Sequence, residues 1–132
     1  MAKQMVYYIS WQEDDWLDEL LDYFPAVNAL VPAAKTCQAI KEQRQSGEVE
    51  QAVFVVNPAA DPEETDKFLQ QLTRDPELSK EPLYLVGVKE PEADSWRERY
   101  PQAKVVVISG YSFDFDYEAV LAQIEAEWGS RP

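Results

Sequence analysis

Few side chains in this chain of 132 residues could carry out covalent chemistry. Cys37 is its single cysteine, and the sequence contains no histidine. Without an imidazole, Ser-His-Asp and Cys-His catalysis, histidine-containing metal sites and phosphohistidine relay are all excluded. A lone thiol cannot form an internal disulfide, and we predict that Cys37 is buried and inert. We therefore expect a binding protein that is not an enzyme and has no cofactor.

The charge balance is strongly acidic, with 25 acidic residues, 12 basic residues and a formal net charge of −13. Because such a chain repels phosphate backbones and anionic lipid, we expect neither a nucleic-acid nor a membrane partner. No apolar run reaches the length of a membrane span, and the amino terminus becomes polar too early for a signal peptide. The length suits one hydrophobic core, so the sequence predicts a single cytoplasmic domain over residues 1–132.

Short apolar runs rich in β-branched residues alternate with helical patterns along the chain. The predicted strands are Met5–Ile9, Val27–Val31, Ala52–Val56, Leu83–Val88 and Val105–Ile108. The predicted helices cover about Asp14–Tyr23, Ala34–Ser46, a segment from Pro62 through Leu72, a short segment opened by Pro91, and about Asp116–Trp128. Repeated β-α units predict right-handed crossovers and a mainly parallel five-stranded sheet covered by helices on both faces.

Local features make these predictions more specific. The first helix places five apolar residues on the face that should pack on the sheet: Trp16, Leu17, Leu20, Leu21 and Phe24. Asp61 is placed to cap the start of the third helix, and Gly47 to cap the end of the second. The continuous hydrophobicity of Ala52–Val56 and Val105–Ile108 is typical of central strands that are covered on both sides.

Two segments resemble the receiver domains of response regulators. Phe68–Leu85, which reads FLQQLTRDPELSKEPLYL, is similar to the L-L-x-x-L-R-x-D-P-E-L-x-x-x-P-V-I pattern of the family's third helix and fourth strand. Phe115–Ile124, which reads FDYEAVLAQI, is similar to the F-D-P-E-E-L-L-A-R-I pattern that begins the fifth helix. The resemblance covers nearly the whole chain. It implies a flavodoxin-like, receiver-like (βα)5 fold, doubly wound, with strand order 2-1-3-4-5.

The residues that receivers use for phosphorylation are missing from the corresponding positions. The phosphorylated aspartate ends strand three, and its position, eighteen residues before Asp75, is occupied by Asn57. An amide cannot attack phosphorus as a carboxylate does. The strand-four hydroxyl position falls on Gly87, and Ser109–Phe113, where the strand-five lysine belongs, contains no basic residue. The resemblance thus implies that Asn57 is a degenerate phosphoacceptor position and that Gly87 and Ser109 are degenerate switch positions.

Asn57 has two interpretations that the sequence leaves open. It could be a neutral stand-in that keeps a hydrogen-bonding group where receivers keep a charge. It could equally be a turn residue, because Asn57-Pro58 is a common way to open a loop.

The acidic pair that holds Mg²⁺ in receivers directly follows strand one, where this chain has Ser10-Trp11-Gln12. Glu13, Asp14 and Asp15 come slightly later and are candidate ligands of a weak metal site. The alternative is an acidic first helical turn, which the helix dipole favours.

Aromatic and basic side chains form a candidate partner-binding surface. Trp11 and Trp96 lie near predicted loops or on the short fourth helix, where partly exposed aromatics would anchor an interface, whereas Trp16 and Trp128 have core spacing. The resemblance implies docking through the fourth helix and its flanking strands, a surface that would contain Trp96, Arg97, Arg99, Tyr100 and Tyr111. The two arginines could instead pair with neighbouring acids: Glu92, Asp94 and Glu98.

We therefore predict a stand-alone pseudo-receiver, a signalling or adaptor module that binds another signalling protein, or a second copy of itself, without phosphorylation control. The alternative is a small flavodoxin-like domain that binds a nucleotide or metabolite at the carboxyl ends of the strands. A glycine-rich phosphate loop would support that alternative, but none of the four glycines follows strand one: Gly47, Gly87, Gly110 and Gly129.

Overall fold

The computed structural model of the chain describes residues 4–11, 14–108 and 117–129. Strands and helices alternate throughout. The strands are β1 (Gln4–Ile9), β2 (Val27–Leu30), β3 (Gln51–Val56), β4 (Leu83–Lys89) and β5 (Lys104–Ile108). The helices are α1 (Asp15–Tyr23), α2 (Ala34–Ser46), α3 (Pro62–Arg74), α4 (Glu90–Arg99) and α5 (Tyr117–Gly129), with a 3₁₀ turn at Leu78–Lys80.

All neighbouring strands are parallel, and their order in the sheet is β2-β1-β3-β4-β5. This order confirms the predicted doubly wound, flavodoxin-like α/β architecture. The chain first adds β2 on one side of β1 and then crosses to β3 on the other side. The loops that follow β1 and β3 therefore meet at the point where the winding direction changes, which is where such sheets gather functional groups.

Side chains of successive strand residues enter two separate cores, because they point to opposite faces of the sheet. On one face Tyr8 and Val55 pack with α1 and α5. On the other face Tyr7 and Phe54 pack with α2, α3 and α4, and their rings stack 5.6 Å apart. The sheet is therefore buried between two helical layers.

Several local predictions are confirmed. The Asp61 side chain accepts a hydrogen bond of 3.1 Å from the Glu64 N–H and so caps α3. Gly47 ends α2 in the left-handed region, with φ of +84°. Cys37 is buried, and burial raises the pKa of its thiol to about 11, with a smaller contribution from the negative charge of Asp75.

Three predictions about exposure and position are wrong. Leu21 lies outside the core and is 53% exposed, because the buried face of α1 is narrower than the apolar pattern suggested. Val31 follows the end of β2 and is exposed. The run Val105–Ile108 forms an edge strand, and the three valines in it are only partly buried.

Within the described ranges, no helix combines the length and the hydrophobicity that crossing a lipid bilayer would require.

Candidate functional site at the carboxyl ends of the strands

Asn57 is the first residue after β3, and its side chain is buried. Its backbone N–H donates a hydrogen bond of 2.9 Å to the carbonyl of Ile9, which extends the ladder between β1 and β3 by one step. Its side-chain Oδ1 accepts a hydrogen bond of 3.0 Å from the Ala59 N–H. This last bond is the side-chain turn by which asparagine opens loops, so one of the two interpretations of Asn57 is confirmed.

The amide nitrogen of Asn57 points into the site. Nδ2 donates a hydrogen bond of 3.0 Å to Asp14 Oδ2 and a longer one of 3.3 Å to the Tyr8 hydroxyl oxygen. The side chain therefore also places a neutral hydrogen-bonding group at the end of β3. The two interpretations are compatible, because the carbonyl oxygen makes the turn while the amide nitrogen faces the site.

Asp14 is the residue on which this site converges. Its carboxylate caps α1 by accepting a hydrogen bond of 3.2 Å from the Leu17 N–H. The same carboxylate accepts hydrogen bonds of 2.5 and 2.6 Å from the Tyr8 hydroxyl, in addition to the bond from Asn57. The half-buried Asp14 carboxylate is stable here because hydrogen bonds from these three donors replace the hydrogen bonds to water that it loses on burial.

Tyr8 was not identified from the sequence as a functional-site residue. Strand alternation places its side chain on the face of the sheet that carries α1. A buried hydroxyl needs a hydrogen-bond partner, so the sequence could have indicated a polar contact of Tyr8 there. It could not have identified Asp14 as that partner. Burial and the hydrogen bond to Asp14 both raise the pKa of Tyr8 well above its usual value of 10.0. The hydroxyl therefore stays protonated and donates to the carboxylate.

Gly87 closes the site from β4. Its φ is +68°, in the left-handed region, and it lies at an irregularity in the pairing of β4 with β5. A β-carbon at this position would stand 2.7 to 2.9 Å from the side-chain atoms of Asn57. Glycine is therefore required both by the backbone conformation and by the close approach of the Asn57 amide. The sequence identified only the missing hydroxyl.

The candidate metal ligands do not form a cluster in the described part of the chain. Of these ligands, Glu13 lies outside the described residues. Ser109, the predicted switch position after β5, also lies outside them. Asp15 is exposed on the first turn of α1, as the alternative interpretation expected, and the Asp14 carboxylate already accepts hydrogen bonds from Tyr8, Asn57 and Leu17. Residues 4–11, 14–108 and 117–129 contain no group of three acidic or cysteine side chains that could hold a metal ion.

The expectation that Trp96 and Tyr100 are exposed is wrong, because both side chains are buried beneath α4. Their rings stack 6.1 Å apart, and the Tyr100 hydroxyl donates hydrogen bonds to the carbonyl and the carboxylate of Asp66 on α3. Burial, followed by the hydrogen bond to Asp66, raises the pKa of Tyr100. These aromatics hold α4 against α3.

The two arginines of α4 have acidic partners. Arg97 pairs with Asp94 at 3.2 Å on the exposed surface, as the alternative interpretation expected. Arg99 pairs with Asp66 at 3.1 Å, and its guanidinium lies 4.1 Å from the centre of the Trp96 ring. Arg97 and Arg99 thus remain at the surface, while Tyr111 lies outside the described residues, as does the side chain of Trp128.

Trp11 lies at the surface, as predicted, and is 41% exposed. It borders an open cleft of about 300 Å³ at the carboxyl ends of β1 and β2. The cleft is also lined by Tyr8, Ser10, Leu17, Ala29, Leu30 and Val31. Because Tyr8 belongs to both, the cleft adjoins the hydrogen-bonded group of Asn57 and Asp14.

Comparisons of this chain with protein-family models, with curated proteins and with solved structures found no match.

Proposed function

We propose that the chain is a pseudo-receiver, a domain that binds another protein without being phosphorylated itself. The observation that carries this proposal is the hydrogen-bonding of Asn57. Its amide occupies the end of β3, where the resemblance to receivers places a phosphorylated aspartate, and it is held there by Asp14, Tyr8 and the Ala59 N–H.

Phosphorylation at this position is unfavourable for three reasons. An amide is not a nucleophile toward phosphorus, and a phosphoryl group attached here would face the carboxylate of Asp14, which lies 3.0 Å from Nδ2. The contact with Gly87 leaves no room on the β4 side. The site is thus an internally satisfied group of polar side chains that supports the loops around it.

The test is a titration of ¹⁵N-labelled protein with beryllofluoride and Mg²⁺, and in parallel with acetyl phosphate and Mg²⁺. We expect no chemical-shift change at the amides of Asn57, Gly87 and Ser109, while a phosphorylatable receiver in the same buffer responds. The control variant Asn57→Ala, which has no polar side chain, should give the same result. Saturable shifts at these amides in the unmodified chain, absent from the variant, would show that the position binds phosphoryl groups.

A small-molecule site is the second candidate function, and the cleft beside Trp11 is the observation that favours it. Its volume of about 300 Å³ is at the lower end of the range for ligand pockets. A phosphate-containing ligand is disfavoured, because the start of α1 is already occupied by the Asp14 carboxylate. A thermal-shift screen of nucleotides, flavins and uncharged metabolites tests this alternative, since a tight ligand raises the melting temperature.

A further inference from the structure

An apolar strip runs along one side of the domain, where α1 lies beside β2. The cleft forms one end of the strip, with Trp11 and Val31 both exposed by about two fifths of their surface. Leu17 lines the cleft, and Leu21 lies one helical turn further along the same side of α1. Leu21 is 53% exposed. Large apolar side chains that are grouped on a surface in this way mark interaction sites.

An acidic ridge borders this strip on the solvent side of α1. Asp18 and Asp22 are four residues apart and therefore lie one turn from each other in a row along the helix. Asp18 and Asp22 are exposed, and neither forms an ion pair among the described residues. The row has a negative charge beside an apolar surface, and a partner must supply both apolar side chains and positive charge.

The neighbouring strand offers a backbone edge. Among the residues that the structure describes, β2 is the outermost strand on this side of the sheet and pairs only with β1. An edge strand presents backbone N–H and C=O groups to which an extended peptide can add as a further strand. Ala29 lies on β2 and lines the cleft, and its small side chain leaves space for a larger side chain from the partner.

We propose that the surface formed by α1 and the edge of β2 binds an extended segment of another protein that carries basic and apolar side chains. This inference rests on the proposed function as a protein-binding domain and assigns its binding surface and partner class. It differs from the surface around α4 that the sequence suggested. A second copy of the chain is a poor occupant, because two proteins with a formal net charge of −13 would oppose their acidic ridges.

The probe is a phage-displayed library of random dodecapeptides, selected on the immobilised chain, followed by fluorescence anisotropy with the synthetic form of the strongest binder. We expect the selected peptides to be enriched in Arg or Lys together with aliphatic or aromatic residues. Ala29→Trp should fill the cleft and weaken binding by about tenfold or more. Ala122→Trp introduces the same side chain at an exposed position of α5 and should bind as the unmodified chain does.

The charge contribution is tested with the pair Asp18→Asn and Asp22→Asn, which should weaken binding several-fold and reduce its salt dependence. Glu63→Gln with Glu92→Gln removes the same charge from exposed positions on α3 and α4 and should have little effect.

A library that yields no basic and apolar consensus overturns the proposal, and so does equal binding by the Ala29→Trp and Ala122→Trp variants. Self-association that Ala29→Trp abolishes would assign the surface to a second copy instead. None of these outcomes depends on the beryllofluoride titration, so the two proposals can fail separately.

Discussion

The backbone of Gly87 lies against the side-chain amide of Asn57, so closely that a β-carbon at position 87 would stand 2.7 Å from Asn57 Oδ1. The φ of Gly87 is also positive. We expect Gly87→Ala to lower the free energy of unfolding through two effects. Left-handed backbone strain costs about 1–2 kcal/mol, and overpacking adds about 1–3 kcal/mol. Urea unfolding followed by tryptophan fluorescence measures the sum.

Gly47→Ala is the matched control for this prediction. Gly47 also has a positive φ, of +84°, but a β-carbon there would meet no atom within 4 Å. Its replacement should therefore show the strain without the collision. A second control combines Gly87→Ala with Asn57→Ala, which removes the obstructing amide and should recover part of the loss. Equal costs at positions 87 and 47 would mean that the Asn57 amide does not restrict this position.

Asn57→Asp tests the electrostatics of the same group of residues. The new carboxylate would lie about 3 Å from the Asp14 carboxylate, because Nδ2 of Asn57 is 3.0 Å from Asp14 Oδ2 in the native chain. Repulsion raises the folded-state pKa of one carboxyl of the pair above its unfolded value of about 4. The folded variant then binds more protons than the unfolded one, so its stability falls as the pH rises from about 4 through that raised value.

Urea unfolding of Asn57→Asp between pH 3.5 and pH 8, compared with the native chain at each pH, measures this effect. Asn28→Asp makes the same chemical change on the edge strand β2, where the side chain is half-buried, and should show a much weaker pH dependence. A stability difference that stays constant or shrinks toward neutral pH would contradict the close pairing of positions 57 and 14.

The order of the elements was predictable because each strand and helix carries its own periodic signal. Asp61 and Gly47 mark helix ends by local hydrogen bonding and backbone conformation, which depend only on neighbouring residues. The position of Asn57 at the end of β3 was predictable for the same reason. It follows an apolar run directly, and the parallel sheet then places it beside the loop after β1.

The contacts between elements were not predictable from these local signals. The burial of Trp96 depends on how α4 packs against α3 through Asp66, and α4 has too few apolar residues for its pattern to show which face is inward. The exposure of Leu21 depends on how wide a face of α1 the rest of the domain covers, and that face includes Trp16, Leu17 and Leu20. The positive φ of Gly87 accompanies an irregularity in strand pairing. A glycine within a strand pattern allows such an irregularity but does not show which side chain lies against it.

The buried tyrosines predict a loss of stability in alkali. Burial raises the pKa of Tyr7 to about 12, and it raises the pKa of Tyr8 together with the hydrogen bond to Asp14. In the unfolded chain both hydroxyls titrate near 10, so their contribution is complete below pH 10 and is lost as the pH rises above it. We expect the free energy of unfolding to fall by up to about 1.4 kcal/mol per pH unit for each of these tyrosines.

Tyr8→Phe removes one of these two contributions. The variant should be less stable at pH 7 by about 1–3 kcal/mol, because Asp14 loses its shortest hydrogen bonds. Between pH 10 and pH 11.5 its stability should then fall less steeply than that of the native chain. Urea unfolding, with tyrosinate absorbance at 295 nm, follows both effects. Tyr23→Phe, at an exposed tyrosine, should alter the slope less, and an unchanged slope in Tyr8→Phe would contradict the prediction.

Trp96 and Arg97 are adjacent on α4, but their replacement by alanine should change stability by very different amounts. Trp96 is buried, stacks on Tyr100 and lies beneath the Arg99 guanidinium, so Trp96→Ala should lower the free energy of unfolding by about 3–5 kcal/mol. Arg97 is exposed and makes a surface ion pair with Asp94, and Arg97→Ala should change stability by about 0.5 kcal/mol or less.

Binding of a partner to this face of α4 should therefore be tested with Arg97→Ala, because a loss of binding caused by Trp96→Ala would reflect unfolding of α4. If Trp96→Ala unfolded at the same urea concentration as the native chain, Trp96 would not be a core residue, and the surface around α4 would again be a candidate interface.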